Sequence, residues 1–494
     1  MTMDGFFQTG SFSLASGWFL LVFAAFMAVY SFVCGRKSLR NPVLLIFSLF
    51  LYWKLSGLYV LLLAAVALLD WQACRFLSSE GRTESSRKGR AALSVIIDVA
   101  VLVFFKCSGL FASLAAVFAG TEALSIKALA IPAGVSFFIF QSISCVVDAY
   151  RRTAVTPARY TDYLLLLAFF PKMVLGPIVR CREFLPQLMA ESVSISAEDM
   201  GKASRLIASG IIKYCVIAKC VGDLLSGPIF AGEMGNAGST ALLGAYAFAI
   251  RIYCDFSGYT DLASGISLLM GFRLPLNFDA PYKSATITEF WRRWHISLSS
   301  WLKDYLYIPL GGNRKGSVRT YVNLIVTMFL GGLWHGVGLT FAIWGLLHGF
   351  SLALHKAWLA LVPGSHKTGE GMGPVTRLLS GVLTFHIVVA GWIFFTSPSA
   401  GKAFGMIASI FNDFNAGAGV ELLHSAAPAV ILMLAGYVLH FLPSSWNSLS
   451  DRILGKSGVL GCAIVIAFAI WLALQASFLL PETAAGGLPI YANF

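Results

Sequence analysis

The stretch "TMFLGGLWHG", residues 327–336, sets a tryptophan and a histidine behind a pair of glycines inside one of the most apolar parts of the chain. Gly331, Gly332, Gly336 and Gly338 each cost a helix about 1 kcal/mol relative to alanine. Two readings follow: close helix packing through small residues, as is common in membranes, or a backbone bared around His335 for chemistry. The flanking runs 320–334 and 338–360 belong to a series that continues along the whole length. Others lie near 18–33, 42–70, 92–119, 128–147, 161–179, 205–226, 240–254, 376–396, 426–444 and 457–480. The chain has 494 residues, 57% hydrophobic and 12% charged, with a mean hydropathy of +0.76. A soluble domain carries about 45–50% apolar and about 25% charged residues. The fold class expected is therefore an all-α polytopic membrane protein with about 11–13 transmembrane, re-entrant and interfacial helices, several shorter than the ~20 residues that a spanning helix needs.

The net charge of +12 does not point to nucleic acid, because the basic residues fall in short loops between apolar runs. Arg36, Lys37 and Arg40 follow the first run, and Arg75, Arg82, Arg87, Lys88 and Arg90 fill the next strong polar loop. By the positive-inside rule those loops are cytoplasmic and the N-terminus lies outside. Residues 1–17 are nearly uncharged and no small-residue cleavage site follows the first run, so no cleavable signal is expected. Nine cysteines without a C-x-x-C pair, mostly in or beside apolar runs, support neither a disulfide framework nor a zinc finger. No repeat of fixed period and no linker divides the chain. The "PGSHKTGEGMGP" segment reads as a flexible connection.

Residues 287–308 read as an interfacial amphipathic helix. Thr286 and Glu289 have capping-box spacing, and Pro309, Gly311 and Gly312 end the pattern. Trp291, Trp294, His295, Leu298, Leu302 and Tyr305 share one face, with Arg292, Arg293, Ser299, Ser300 and Lys303 largely opposite. Such a helix would lie with its tryptophans at headgroup depth. His295 falls on the apolar face, an odd place for a titratable group. Of the remaining histidines, His366 lies in a polar loop, while His386, His424 and His440 read as satisfied core residues.

Charged and polar residues also interrupt the apolar segments: Asp255, Ser257, Tyr259 and Asp261; Asp148 beside Arg151 and Arg152; and Lys172, Arg180 and Arg182. Ionisable groups at membrane depth face a cavity or one another, and edge charges snorkel; an enzyme or a transporter would explain them. No G-x-S-x-G elbow, Walker A loop or H-E-x-x-H is present. Histidine without an obvious nucleophile suits a reaction in which a substrate hydroxyl attacks and histidine is the general base.

Five blocks occur in order: "IPAGVSFFIFQSISCVVDAYRR", "FFPKMVLGPIVRCREFLPQ", "YCDFSGYTDLASGISLLMGFRLPLNFDAPY", "EFWRRWHISLSSWLKDYLYIPLGGNRKG" and "LGGLWHGVGLTFAIWGLLHG". Together they resemble the membrane-bound O-acyltransferase family, and within it the bacterial branch typified by the membrane subunit that O-acetylates alginate. The likeness is strongest over residues 130–350, and "LGGNRKG" and the closing "LPIYANF" lean toward that branch. The resemblance implies one membrane-embedded domain over 1–494, a curved bundle of tilted helices around a funnel or tunnel. It implies that His335, in "LWHG", is the catalytic histidine and that His295, in "RRWH", is the second functional one.

It further implies an acyl thioester such as acetyl-CoA as donor substrate, with no permanently bound cofactor and no metal, since such a transfer needs a base and oxyanion donors. The location implied is the bacterial inner membrane, multi-pass and in contact with lipid. The implied partners are periplasmic esterase-like acetyltransferases and a polysaccharide synthesis and export complex. By charge alone, Arg292, Arg293, Lys303, Arg314 and Lys315 either attract the phosphates of coenzyme A or simply follow the positive-inside rule. Within the family, D-alanyl transfer to teichoic acid and peptidoglycan O-acetylation are the rival reactions. From another class, a lipid or sugar transporter, or a non-catalytic scaffold, would share the hydropathy.

Overall fold

A computed structural model of the chain describes residues 14, 16–109, 131–362, 364 and 368–480. Residues 110–130 of two expected spans, His366 and the closing "LPIYANF" lie outside the described residues. All regular structure among the described residues is helical. The fold divides into two compact units: one runs to Ala203 and includes Leu262–Pro275, the other takes Ser204–Asp261 and the chain from Leu276.

The first unit carries α1 (Gly17–Val33), α2 (Lys37–Ser56), α3 (Val60–Ser78), α4 (Glu84–Lys106), α5 (Val135–Tyr150), α6 (Tyr160–Ala168) and α7 (Cys181–Met189). Ser16 starts α1 by accepting from the Phe19 amide at 3.1 Å, and Thr83 starts α4 by accepting from Ser86 at 3.3 Å. Phe26 and Phe47 stack at 3.9 Å, and Phe170 meets Phe47 edge-on at 5.1 Å. Two cations in this interior are held by specific acceptors. The fully buried Arg40 donates at 2.8 Å to both Leu188 O and Ala190 O, closing the carbonyl end of α7 where cations are favoured. Lys172 donates at 2.6 Å to Gln141 Oε1 and at 2.6 Å to Leu166 O. Arg87, one of the basic residues read as filling a cytoplasmic loop, pins α4 to α5 by donating to Tyr150 O at 2.6 Å.

In the second unit the end of α8 (Ala197–Ile211) runs into wide π-helical turns at Ile212–Ala218 and Gly222–Ser226. Then come α9 (Gly238–Leu269), of which the residues to Asp261 belong to this unit, α10 (Ile287–Arg293), α11 (Ile296–Leu302), α12 (Ser317–His335), α13 (Leu339–Leu361) and α14 (Pro374–Thr396). The described chain finishes with α15 (Ala400–Asn412), α16 (Ala416–Ser425), α17 (Ala427–Phe441) and α18 (Ser445–Ser477). Among the described residues, three stretches are long and apolar enough to cross a membrane: Lys37–Ser78, α14 and α18. The pair α16–α17 is bent by 94°, as a broken span or a re-entrant loop would be, and α1 and α5 are shorter apolar helices. This unevenness has local causes. The 205–226 run is interrupted by the π turns, and α9 carries Arg251, Asp255 and Asp261.

The glycines of the opening stretch act mainly in packing. A Cβ on Gly332 would lie 2.4 Å from Phe341 O and 3.0 Å from the Gly345 Cα. One on Gly345 would lie 2.6 Å from Met328 O, and one on Gly349 2.8 Å from the Ile325 Cα. The backbones of α12 and α13 thus touch with no side chain between them, the small-residue solution to helix association in lipid. Gly338 is different, because its Cβ would meet only ordinary contacts at 3.7 Å. Gly345→Ala is therefore expected to lower stability by about 1–3 kcal/mol through overpacking against backbone, whereas Gly338→Ala stays near the parent. Melting temperatures of the two purified variants in one detergent check this.

Candidate functional site

The expected continuous helix over 287–308 is broken at its most informative point. Its start is as read, with the Glu289 amide donating to Thr286 Oγ1 at 3.1 Å, and its turn signals follow at Gly311 and Gly312. Between them the chain stops at Arg293, turns through Trp294 and His295, and restarts at Ile296. His295 has φ +41°, a left-handed conformation that costs a non-glycine residue about 1–2 kcal/mol. Asn277 offsets this cost. Its backbone carbonyl accepts from the Ile296 amide at 3.0 Å, and its Oδ1 accepts from the Ser297 amide at 3.2 Å and Ser297 Oγ at 2.9 Å. The same Oδ1 lies 3.1 Å from His295 Nδ1. Because a backbone N–H only donates, the Asn277 atom in this cluster is the oxygen. His295 Nδ1 therefore carries the proton, and Nε2 is the basic nitrogen.

The break also moves the tryptophans. Trp291 and Trp294 are buried within the protein, Trp294 at 1% exposure, instead of lying at headgroup depth. The reason is aromatic packing: Trp294 meets Trp392 at 4.9 Å and Phe278 at 5.1 Å, and Phe256 meets the His295 ring edge-on at 4.7 Å. The flanking α10 and α11 are seven residues each, too short to span. In that turn burial pushes the His295 imidazole down to about 3, so the ring is neutral at physiological pH.

His335 closes α12, and the extended Gly336 after it ends the helix. The ring is 3% exposed and boxed by Trp334 at 4.5 Å, Phe395 at 5.1 Å and Trp344 at 5.3 Å. Trp344 and Phe395 both contact Trp392, at 6.0 and 5.5 Å. Since Trp392 also touches Trp294, the two predicted histidines belong to one aromatic cluster. Three residues of this site escaped the sequence reading: Asn277, Trp392 and His348. For His348 a signal existed, its i+4 spacing from Trp344 on one face of α13.

Other candidates turn out to be structural. Asp261 pairs with Lys213 at 2.8 Å and accepts from Ser209 at 3.1 Å. Arg293 is spent on Glu289 and Asp279, which leaves Arg292, Lys303, Arg314 and Lys315 as exposed cations. Asp148, Lys172, Arg180 and Arg182 belong to the first unit. His440 is a buried core residue, accepting from the Tyr282 amide at 3.1 Å. His386 and His424 are not in the core as expected: both are exposed, each bonding back to the carbonyl four residues earlier in its own helix. Among the described residues no three of His, Cys, Asp and Glu converge as a metal-ligand set.

Asn277→Ala removes the acceptor of buried donors at Ser297 and His295. The expected loss is about 1–3 kcal/mol for the donors left unsatisfied, read as a fall in melting temperature, while Asn277→Asp retains more because an oxygen remains.

The family model of the membrane-bound O-acyltransferases matches residues 24–396. The chain is 37% identical over 409 residues to a probable alginate O-acetylase of Pseudomonas syringae pv. tomato, covering 81% of this chain and 76% of that protein. It is 37% identical over 405 residues to a probable alginate O-acetylase of Azotobacter vinelandii, covering 81% and 78%. A peptidoglycan O-acetyltransferase of Helicobacter pylori is 32% identical over 364 residues, covering 68% and 66%. With the family model spanning both histidines and most of the chain, this protein belongs to the membrane-bound O-acyltransferase family and is a membrane acyltransferase.

Proposed function

We propose that the protein is the inner-membrane, multi-pass subunit that takes acetyl groups from a cytoplasmic acyl thioester and passes them across the membrane for O-acetylation of an exported polysaccharide such as alginate. The observation that carries this reading is His335, a buried titratable ring held by three aromatic side chains at the end of α12, within the family-matched stretch. The likeness to alginate O-acetylases supports a place in polysaccharide modification. Periplasmic esterase-like transferases and an export complex would then be its partners.

In the proposed transfer the acceptor hydroxyl oxygen attacks the thioester carbonyl carbon while His335 takes the hydroxyl proton. The tetrahedral intermediate collapses, the C–S bond breaks, and the proton passes from His335 to the departing thiolate. The aromatic box suits this step because it excludes water, which would otherwise hydrolyse the thioester. His295 enters as a neutral imidazole whose proton is placed on Nδ1 by Asn277, leaving Nε2 to accept a proton. Exposed Arg292, Lys303, Arg314 and Lys315 would draw the phosphates of the donor by long-range attraction.

His335→Ala is expected to abolish polymer acetylation while the protein still accumulates in the membrane. Near-normal acetyl content on the polymer would leave a scaffold or a transporter, and acetyl on peptidoglycan alone would move the acceptor. His295→Asn, a residue that tolerates the left-handed turn, should keep the melting temperature and cut transfer by at least ~10²-fold, the usual scale for losing a proton-transfer group. Stability and activity falling together would make His295 structural.

Orientation has its own test. Positive charge in short loops is retained inside, so cysteines placed at Ser85 and Lys315 in a background lacking the nine native ones should escape an impermeant reagent added from outside. Efficient labelling of either would reverse the side from which the donor enters.

A further inference from the structure

Behind His335 lies a third imidazole that the proposed chemistry leaves unused. His348 is fully buried, and among the described residues neither of its ring nitrogens has a hydrogen-bond partner. A phenyl ring would fill an apolar site without stranding two polar atoms, which is costly in a core. The imidazole is packed tightly: Trp344 lies 4.9 Å away, Trp291 5.1 Å away and edge-on, and Phe290 is stacked at 6.2 Å.

The fourth wall is Gly391 of α14. A Cβ there would lie 2.9 Å from His348 Nε2 and 3.4 and 3.5 Å from Trp344 Cδ1 and Nε1. A methyl there forces the His348 ring to shift, and that ring rests on Trp344, which the same methyl would touch at ordinary contact distance. Trp344 is the same indole that meets His335 edge-on at 5.3 Å, with an interplanar angle of 87°. The next residue after the glycine, Trp392, touches Trp344, and Phe395 touches both Trp344 and His335. Any displacement of the His348–Trp344 pair is thus transmitted to the reacting imidazole through one ring contact.

We propose that His348 and Gly391 are positioning residues for acyl transfer: Gly391 lets the Nε2 edge of His348 seat against α14, and His348 in turn fixes the Trp344 indole that orients His335. This rests on the reading of His335 as the base, and it assigns His348 no contact with substrate.

The experiment compares Gly391→Ala, His348→Asn and the double variant with the parent and with His335→Ala, all reconstituted in vesicles with acetyl-CoA as the donor probe. Gly391→Ala should lower kcat by about tenfold or more, leave KM for acetyl-CoA within about twofold and move the pH of half-maximal kcat, the signature of a misplaced base. His348→Asn cuts the ring back and vacates the Nε2 position, so it should cost kcat less than Gly391→Ala does. In the double variant the alanine methyl occupies that vacated space, and kcat should recover above the Gly391→Ala value, a coupling expected only of residues in contact. Parent-like kcat for Gly391→Ala, losses that multiply in the double variant, or a fall in kcat matched by a fall in melting temperature with an unmoved pH midpoint would each overturn the proposal. If the parent transfers and His335→Ala does not, such a result removes only the positioning roles. Transfer that persists in His335→Ala, or is missing from the parent, removes the reading of the base and this inference with it.

Discussion

The direct backbone contact between α12 and α13 is the constraint on which the second unit depends. Gly332, Gly345 and Gly349 allow no Cβ at the crossing, so the helices meet closer than any pair bearing side chains there would. In lipid the hydrophobic effect does not drive helices together, and dispersion across such a seam does much of the work. The seam has a chemical consequence. It brings Trp344, one residue before Gly345, against His335 at the end of α12.

A second constraint acts in the 287–308 segment. There Asn277 supplies backbone and side-chain acceptors to a restarting helix, and His295 is held in a left-handed turn that few residues would adopt unaided. Strained backbone of this kind persists only where the surroundings over-determine it, and such sites are often functional. The same bond selects the tautomer, so the geometry of the break and the basicity of the ring are one arrangement.

Between these points stands an aromatic cluster of Trp294, Trp392, Trp344 and Phe395. Phe395 meets Trp344 and Trp392 edge-on, and Trp344 stacks on Trp392, both arrangements that the aromatic quadrupole favours. The result is a rigid, water-poor wall around imidazoles. That environment suits an acyl thioester, whose competing reaction is hydrolysis, better than it suits a solute path, which would need polar lining groups along its length.

Much of this was legible in the residues alone. Composition and apolar runs determine a helical membrane protein, because lipid leaves unpaired backbone groups no partner. The capping box at Thr286 and Glu289 is local, so it reads correctly, and "LWHG" and "RRWH" mark the two histidines by motif. The break at His295 was not legible: residues 291–305 hold an unbroken helical period, and what interrupts it is Asn277, distant in sequence and brought near by the fold. For the same reason hydropathy could not separate buried His440 from exposed His386 and His424, since all three sit in apolar helices and only packing decides which face is covered. The role of the glycines was left open between packing and chemistry, because a glycine's meaning lies in what its absent Cβ would strike. That neighbour, the backbone of α13 for Gly332 and the His348 ring for Gly391, exists only once the helices have met.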